Sequence, residues 1–335
     1  MPRMNTMQAM RLDAPDRPLY HHALPIPAPG PGEVLLRVLA CGVCRTDLHL
    51  VDGELPDIVY PVIPGHEIVG RVVARAADVT QWSVGERVGV PWLGGSCGRC
   101  DYCESGRENL CGQASFTGYT RDGGYAGYVT ARAAWCLPVP DRYGDAEAAP
   151  LLCAGLIGYR AYRAAGAAPV IGLYGFGAAA HLLVPLALHE HRRVFALTRR
   201  GDLAAQDFAR SLGVHWAGGS DEAPPESLDA AIIFAPAGEL VPAALAAVRR
   251  GGRVVCAGIH MSDIPSFPYH LLWGERSVVS VANLTREDGA AYMRLAAEVD
   301  LRPAVTRFDL AQANQALDLL RAGRVSGACV LCNPS

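Results

Sequence analysis

The chain has 335 residues, half of them hydrophobic, and a formal net charge of −3. This length favours two domains with sizeable cores, and the slightly acidic balance argues against a nucleic-acid or anionic-membrane partner. No apolar run is long enough for a transmembrane helix, and the first residues lack the apolar core of a signal peptide. With eleven cysteines and no export signal, metal binding or free thiols are favoured over disulfides, and a cytoplasmic location is the default expectation.

The first half of the chain is predicted to be rich in β-strands. Short strands and turns are expected over residues 7–40, where four prolines between residues 25 and 31 exclude a helix. Residues 33–39 form the clearest strand of this segment, and further strands are predicted over 68–74 and 87–90. The pattern favours a compact β-rich domain.

The stretch from Cys44 to His49 places a thiol, a hydroxyl, a carboxylate and an imidazole within six residues. A cysteine thiolate binds Zn²⁺ strongly, and a catalytic zinc usually takes three protein ligands and keeps a fourth position open. His66 and Cys153 are the candidate partners that, with Cys44, would complete a Cys₂His set. The alternative is that Cys44 and Cys153 are ordinary small buried side chains.

Four further cysteines lie within fifteen residues, in a lobe spanning residues 95–112. Their spacing, C-x₂-C-x₂-C-x₇-C, is typical of a closed tetrahedral structural zinc site. A set of redox thiols and an iron–sulfur site are the alternatives. A zinc ribbon that binds nucleic acid is disfavoured because the flanking segments are not basic. The four candidate ligands are Cys97, Cys100, Cys103 and Cys111.

After Gly166 the sequence changes to alternating strands and helices. A predicted strand over 170–174 precedes Gly175-Phe176-Gly177-Ala178-Ala179-Ala180, a G-x-G-x-x-A turn that lets a pyrophosphate approach the N-terminus of the next helix. A tight turn without a ligand is the alternative, because a single match is a weak signal. Pro185 is expected to bend the helix that follows. The strands that favour a dinucleotide-binding domain are predicted at 193–198, 229–234, 253–258 and 277–282.

Helical segments are predicted on both sides of this domain. Residues 145–162 are predicted to be helical but interrupted by Pro150, so that one helix ends there and another carries Cys153. In the tail, the sequence predicts helices over 289–298 and 310–322 and a last strand over 327–331.

Taken together, these motifs resemble those of the zinc-dependent medium-chain alcohol dehydrogenase family, of the bacterial type. The resemblance covers nearly the whole chain. It implies an α/β protein with a β-rich, GroES-like catalytic domain and a Rossmann domain with a doubly wound parallel sheet. The expected boundaries are 1–154 for the catalytic zinc domain, 155–288 for the Rossmann domain and 289–335 for a return to the catalytic domain.

The resemblance also implies a role for each matching residue around the first thiol. Cys44, His66 and Cys153 would be the ligands of a catalytic zinc. Thr46 is similar to the hydroxyl that accepts the proton of the substrate alcohol, and His49 is similar to the relay that passes this proton to solvent. With the four-cysteine lobe, two zinc ions per chain are expected.

Four more residues match family positions near the metal or the cofactor. Asp47 resembles the carboxylate that orients the histidine ligand, and Glu67 resembles the carboxylate close behind the metal. Trp92 resembles an aromatic wall of the alcohol pocket, with an ordinary core tryptophan as the alternative. Arg45 lies at a position that often contacts the cofactor pyrophosphate.

The second strand of the Rossmann domain ends differently from that of many NAD enzymes. In place of an acidic residue the chain has Thr198-Arg199-Arg200, which favours NADP slightly over NAD because arginines accommodate a 2′-phosphate. The alternative is that the arginines are solvated or stack on adenine and NAD is used. Ala328 stands where the family often has an arginine that reaches the pyrophosphate. The residues expected to bind the cofactor are Arg45, Gly175, Phe176, Gly177, Ala180, Thr198, Arg199 and Arg200.

The function implied by the resemblance is reversible hydride transfer between a primary or secondary alcohol, whose product is an aldehyde or ketone, and NAD(P). Alternatives are a zinc enzyme of the same fold for polyols, amino alcohols or aromatic alcohols, and a zinc-binding protein without catalysis. Thr46 and His49 argue against the last alternative, because a structural metal site needs no proton relay. The family resemblance favours a homotetramer, with a dimer as the second choice.

Overall fold

The computed structural model describes residues 6–334. Over this range the chain forms two compact units. The first comprises residues 6–153, 284–297 and 303–334, and the second comprises Ala154–Asn283 and Glu298–Arg302. No helix of the described residues has the length and apolar character needed to cross a bilayer.

The strands and helices follow one another along the described chain with short connections. The strands are β1 (Thr6–Arg11), β2 (Tyr20–Pro25), β3 (Glu33–Val43), β4 (Glu67–Arg75), β5 (Arg87–Val90), β6 (Leu93–Gly95), β7 (Ser115–Phe116), β8 (Tyr128–Arg132), β9 (Leu137–Pro138), β10 (Val170–Tyr174), β11 (Arg193–Thr198), β12 (Trp216–Gly219), β13 (Leu228–Ile233), β14 (Val248–Cys256), β15 (Ser277–Ser280), β16 (Val305–Asp309) and β17 (Ala328–Cys332). The α-helices are α1 (Arg45–Val51), α2 (Asp101–Glu104), α3 (Asp145–Ala148), α4 (Ala154–Ala165), α5 (Ala178–His189), α6 (Leu203–Ser211), α7 (Leu240–Ala247), α8 (Arg286–Glu298) and α9 (Ala313–Arg321).

The first unit is built around a mixed sheet that, within the described residues, has the order β16-β17-β3-β4-β5-β9, with β8 also paired to β3. Only the β16–β17 pair is parallel; the other pairs in this sheet are antiparallel. The register of β3 and β4 sets Gly42 opposite Glu67. Because Cys44 follows β3 by one residue and His66 immediately precedes β4, this register brings the two residues to the same end of the sheet.

Apolar side chains on one face of this sheet form the core of the first unit. The cluster includes Leu36 from β3, Ile68 from β4 and the fully buried Tyr125 from the turn before β8. The strands alternate buried and more exposed residues in part, as expected for a sheet with one face on the core.

The second unit contains a parallel sheet that, in the part of the chain described, has six strands in the order β12-β11-β10-β13-β14-β15. The order reverses at β10, which is the topological switch point of a doubly wound dinucleotide-binding sheet. The strand β10 is buried along its whole length, as expected for a central strand of a parallel sheet. The predicted fold class, a β-rich unit together with a Rossmann unit, is confirmed.

Some local predictions were wrong. Cys153 is not carried by a helix: a 3₁₀ turn over Ala149–Leu152 precedes it, and α4 begins one residue after it. Several short elements were not predicted, and they include α1, α2, β6, β7, β9, β12 and β16. The position of Pro185 agrees with the prediction, because the helix α5 runs from Ala178 to His189 with Pro185 inside it.

Candidate active site and cofactor turn

Four side chains converge at the end of the β3–β4 pair in the first unit. The ligating atoms of Cys44, His66, Glu67 and Cys153 all lie within 4.8 Å of one another. The two sulfur atoms are 3.9 Å apart. Such a distance is far longer than the roughly 2.05 Å of a disulfide and close to the roughly 3.8 Å expected between two sulfur ligands of a tetrahedral zinc.

The chemistry of this donor set fits a zinc ion. The Nε2 atom of His66 is buried and has no hydrogen-bond partner among the described residues, so a metal can take the place of a proton on this atom. The hydrogen bond from Cys153 lowers the pKa of Cys44 well below its ordinary value, and the same pairing raises the pKa of Cys153. Zinc would take both sulfurs as thiolates and release a proton on binding.

Asp47 organises two of these ligands. Its Oδ2 accepts hydrogen bonds from the backbone N–H of Cys44, at 2.9 Å, and from the hydroxyl of Tyr125, at 3.0 Å. Its Oδ1 lies 3.2 Å from Nδ1 of His66. This contact assigns the proton of the imidazole to Nδ1 and turns Nε2 toward the two sulfurs.

The electrostatics of His66 follow from these neighbours. Burial alone would lower the pKa of His66, but the Asp47 carboxylate and the Cys44 thiolate outweigh burial and raise it well above the ordinary value. Both negative groups favour a positive charge between them, either a proton on the imidazole or a metal cation at Nε2.

The hydroxyl and the second imidazole of the predicted proton path lie on α1. The Thr46 Oγ1 atom is buried and lies 3.7 Å from the Cys44 sulfur. His49 is mostly buried, and its Nδ1 atom contacts Oε2 of Glu54. Arg45, in the first turn of α1, is exposed. Sequence reasoning did not single out Glu54 or Tyr125, because neither belongs to a ligand motif.

Glu67 is packed tightly against the backbone of β3. A Cβ atom built on Gly42 would lie 1.8 Å from Oε2 of Glu67, so a glycine is needed at this position of the strand. Glu67 is itself buried at the start of β4. The carboxylate is therefore held beside the two cysteines and the histidine by the sheet itself.

One aromatic ring lies near the histidine of the cluster, and two more pack against that ring. The ring of Trp92 lies 6.1 Å from that of His66 and 4.7 Å from that of Phe116, and Tyr119 stacks on Trp92 at 6.5 Å. The hydroxyl of Tyr119 donates to the carbonyl of Pro56. Trp92 was predicted as a pocket wall. Phe116 at the end of β7 and Tyr119 in the turn that follows were missed, because they belong to no motif.

The four cysteines of the lobe also come together. Their ligating atoms lie within 4.8 Å of one another, with sulfur–sulfur distances of 3.6 Å for Cys100–Cys103 and 3.9 Å for Cys97–Cys103. A hydrogen bond to Ser96 is the main cause that lowers the pKa of Cys103 to about 6. The backbone N–H groups of Cys97 and Gln113 donate to the sulfur of Cys111. Backbone donors to sulfur stabilise thiolates, as a closed zinc site requires.

In the second unit the glycine turn joins the central strand β10 to α5. Gly175 has a φ of +87°, and a Cβ atom there would lie 2.9 Å from Ala235, so only glycine fits this turn. Gly177 is the N-cap residue of α5, and nothing lies within 4 Å of a Cβ atom built on it. Phe176 packs edge-to-face on Phe208, and Ala180 is buried. The turn thus leaves the helix N-terminus open to an anion.

At the end of β11, Thr198 is buried, whereas the two arginines that follow it are exposed. The Thr198 hydroxyl is buried between the carbonyl oxygens of Arg199 and Gly218, at 3.1 and 3.3 Å, and accepts from Gln206. In this structure that hydroxyl is engaged inside the unit and is not turned toward a ribose.

The guanidinium groups that follow are both exposed to solvent. The side chain of Arg199 is 80% exposed and that of Arg200 is 89% exposed. Each lies near one carboxylate, Asp202 at 3.8 Å and Asp221 at 3.5 Å. In the first unit Ala328 is buried in β17, so no guanidinium extends from that position.

Comparisons with known proteins agree with this geometry. A family model, the alcohol dehydrogenase GroES-like domain, matches residues 30–141. Probable alcohol dehydrogenase AdhA of Mycobacterium tuberculosis is 44% identical over 322 residues, which cover 94% of this chain and 92% of that protein.

Solved structures match over nearly the whole chain. Acetophenone reductase from Geotrichum candidum, in complex with NAD, is 28% identical with a TM-score of 0.87, covering 98% of this chain and 97% of that one. A dehydrogenase structure from Sinorhizobium meliloti with bound NADP is 26% identical with a TM-score of 0.85, covering 98% of this chain and 99% of that one. The chain therefore belongs to the zinc-dependent medium-chain alcohol dehydrogenase family and is an oxidoreductase that acts on alcohols.

Proposed function

We propose that this enzyme oxidises primary or secondary alcohols with NADP and a catalytic zinc, and reduces the corresponding aldehydes or ketones in reverse. The observation that carries the proposal is the donor set of Cys44, His66 and Cys153, with two sulfurs 3.9 Å apart and a buried imidazole nitrogen without a partner among the described residues. Three such ligands leave one position for an alcohol oxygen.

The residues around these three ligands have separate roles in the proposed reaction. When bound, zinc supplies a Lewis acid for the alcohol oxygen and the nicotinamide supplies the hydride acceptor. Thr46 Oγ1, which lies beside the Cys44 sulfur, accepts the hydroxyl proton of the alcohol. His49 passes the proton to solvent, with Glu54 holding its Nδ1 side. Asp47 holds His66 in the tautomer that leaves Nε2 free.

The preference for NADP is proposed from the two exposed arginines at the end of β11. A 2′-phosphate carries charge that Arg199 and Arg200 can bind as charge-assisted hydrogen bonds. One solved relative holds NAD and another holds NADP on the same fold, so the fold does not decide the cofactor. Arg45 and the turn with Gly175 and Gly177 are proposed to contact the pyrophosphate, which both cofactors share.

We propose a second, structural zinc in the four-cysteine lobe. The donor set there consists of sulfur atoms alone, and no residue resembling a proton relay lies among the four. A closed tetrahedral site of this kind contributes folding free energy and takes no part in the reaction.

Aromatic alcohols are a second candidate substrate class, favoured by one observation. The rings of Trp92, Phe116 and Tyr119 stack in a group that begins beside His66. An aromatic substituent of the substrate can make offset-stacked and edge-to-face contacts with such a surface, and each contact contributes about 0.5–1.5 kcal/mol. Polyols gain nothing from these rings.

The assembly is proposed to be a homotetramer, with a dimer as the second choice. In the second unit the large side chains of Tyr269 and Trp273 are exposed in the segment before the edge strand β15. Exposed aromatic side chains near an open sheet edge are typical of a contact surface. None of the eleven cysteines, all of which lie in the described part of the chain, forms a disulfide, which supports a reducing compartment such as the cytoplasm.

The experiment that tests the proposed function follows NADPH or NADH formation with a panel of short-chain, secondary, aromatic and polyol substrates. Zinc-loaded protein should oxidise simple or aromatic alcohols, and Cys44→Ser should be inactive while remaining folded. Turnover of the panel by Cys44→Ser at the wild-type rate would contradict the assignment of the catalytic metal.

A further inference from the structure

Tyr125 is a buried tyrosine whose hydroxyl lies behind the catalytic cluster. The residue is 0% exposed, and its hydroxyl donates to Oδ2 of Asp47 at 3.0 Å. Its ring fills the space over Gly65, where a Cβ atom would lie 2.4 Å from Cδ1 of the tyrosine. The backbone N–H of Tyr125 donates to the carbonyl of Pro64 at 3.0 Å, so the residue is fixed against the segment that carries His66.

The hydroxyl belongs to a chain of buried contacts that leads to the metal ligands. Asp47 Oδ2 is shared between the Tyr125 hydroxyl and the Cys44 N–H, and this leaves Oδ1 facing Nδ1 of His66. Asp47 and His66 are each only 1% exposed, so water does not replace a lost donor readily. Buried hydrogen bonds to a charged group are the strong ones, and a second donor fixes the rotation of the carboxylate.

We propose that Tyr125 is a positioning residue for the catalytic zinc, acting through Asp47 on His66. The hydroxyl holds the carboxylate in the orientation that keeps the proton on Nδ1 and the lone pair on Nε2 of the histidine. The partners of ligands tune metal affinity through this kind of contact. The inference rests on the proposed function, because it requires zinc at Cys44, His66 and Cys153.

A purely structural role for the hydroxyl is the competing explanation, and the chain offers a matched control for it. Tyr143 is also buried, and its hydroxyl donates to the carbonyl of Ala296 at 3.0 Å. That hydrogen bond includes no residue of either metal cluster. Tyr125→Phe and Tyr143→Phe therefore each remove one buried tyrosine hydroxyl. Only Tyr125→Phe removes a hydroxyl that is connected to His66 through Asp47.

The test measures zinc affinity by competition with a chromogenic chelator in the full-length, zinc-loaded protein. The catalytic zinc is identified as the one missing from Cys44→Ser. Tyr125→Phe should raise its dissociation constant roughly threefold to tenfold, less than the 10–100-fold typical of losing a direct partner of the ligand. It should also shift the visible absorption bands of the cobalt-substituted site. The second zinc should be unaffected, and Tyr143→Phe should change neither zinc.

A double variant tests whether the hydroxyl acts through the carboxylate. In an Asp47→Asn background, Tyr125→Phe should have little further effect on zinc affinity, because the two positions share one path. The inference is overturned by wild-type zinc affinity and cobalt spectrum in Tyr125→Phe, by an equal change in Tyr143→Phe, or by a full additional effect in the Asp47→Asn background. If Cys44→Ser has the same zinc content as wild type, both the proposed function and this inference fail. If Cys44→Ser lacks one zinc ion but Tyr125→Phe behaves as wild type, only this inference fails.

Discussion

We propose that the choice between NADP and NAD depends on two exposed arginines, and removing them one at a time gives a quantitative prediction. In the free protein Arg199 and Arg200 face Asp202 and Asp221 at 3.8 and 3.5 Å, as solvent-exposed pairs. Such pairs contribute about 0–1 kcal/mol each. A charge-assisted hydrogen bond to a 2′-phosphate contributes about 1.5–3 kcal/mol. Subtracting the middle of the first range from the middle of the second leaves about 1–2 kcal/mol per arginine, equivalent to about fivefold to thirtyfold in affinity.

The assay is kcat/KM for both cofactors in wild type, Arg199→Ala and Arg200→Ala. At least one variant should lose about fivefold to thirtyfold of its kcat/KM for NADP, while kcat/KM for NAD changes less than about threefold. Arg193→Ala is the matched control, because Arg193 is a surface arginine at the opposite end of the same strand β11. A wild type that prefers NAD, or a loss that is equal for both cofactors, would refute the assignment of the arginines to the phosphate.

Three further predictions follow from other parts of the molecule. His49→Gln should slow alcohol oxidation roughly tenfold or more at neutral pH, because a general base typically contributes 10²–10⁴-fold and bulk water substitutes in part; an unchanged pH–rate profile would remove His49 from the proton path. Cys103→Ser should lower the melting temperature and should contain one zinc ion fewer per chain than wild type. A variant as stable as wild type would argue against a structural site. Burial lowers the pKa of His181 from 6.5 to about 4. As the pH falls, His181 gains its proton in the unfolded state before it does so in the folded state. The free energy of unfolding of wild type, relative to that of His181→Gln, should therefore fall by up to about 3 kcal/mol from pH 6.5 to pH 4. A difference between the two proteins that does not change with pH in denaturant titrations would count against a neutral buried histidine.

The second unit was largely predictable because its signals are local. An apolar strand, a glycine turn and a helix follow one another in the sequence, and β10 and α5 lie where that pattern predicts them. The edge strand β12 was missed because Trp216-Ala217-Gly218-Gly219 is short and rich in glycine, which disfavours a strand by composition. Pairing with β11 forms this strand, and that is a long-range interaction.

The convergence of Cys44, His66 and Cys153 was predicted from their residue types and from family resemblance, because no local pattern in the sequence links them. Cys44 and Cys153 are 109 residues apart, and the antiparallel register of β3 and β4 and the 3₁₀ turn before Cys153 bring them together. The helix α1 was not predicted because Arg45-Thr46-Asp47-Leu48-His49 has a mixed polar composition. Asp47 forms a capping box with Cys44 at the start of that helix, which also places Asp47 beside His66.

The contacts that refine the site were not predictable, because they join side chains without a common motif. Tyr125 reaches Asp47 across 78 residues, and Glu54 contacts His49 from the turn after α1. The inward orientation of the Thr198 hydroxyl likewise depends on Gly218 in the neighbouring strand. Sequence patterns identify the residue types of a site, whereas the partners that orient them are determined by packing.

The central claim is that Cys44, His66 and Cys153 hold a catalytic zinc that is distinct from a zinc in the four-cysteine lobe. Zinc content per chain, measured in freshly purified, unchelated wild type and Cys44→Ser together with alcohol oxidation, tests it most directly. We predict two zinc ions in wild type, and in Cys44→Ser a folded protein with one zinc and no turnover. One or no zinc in wild type, or a Cys44→Ser variant that retains both zinc ions and its activity, would contradict the account.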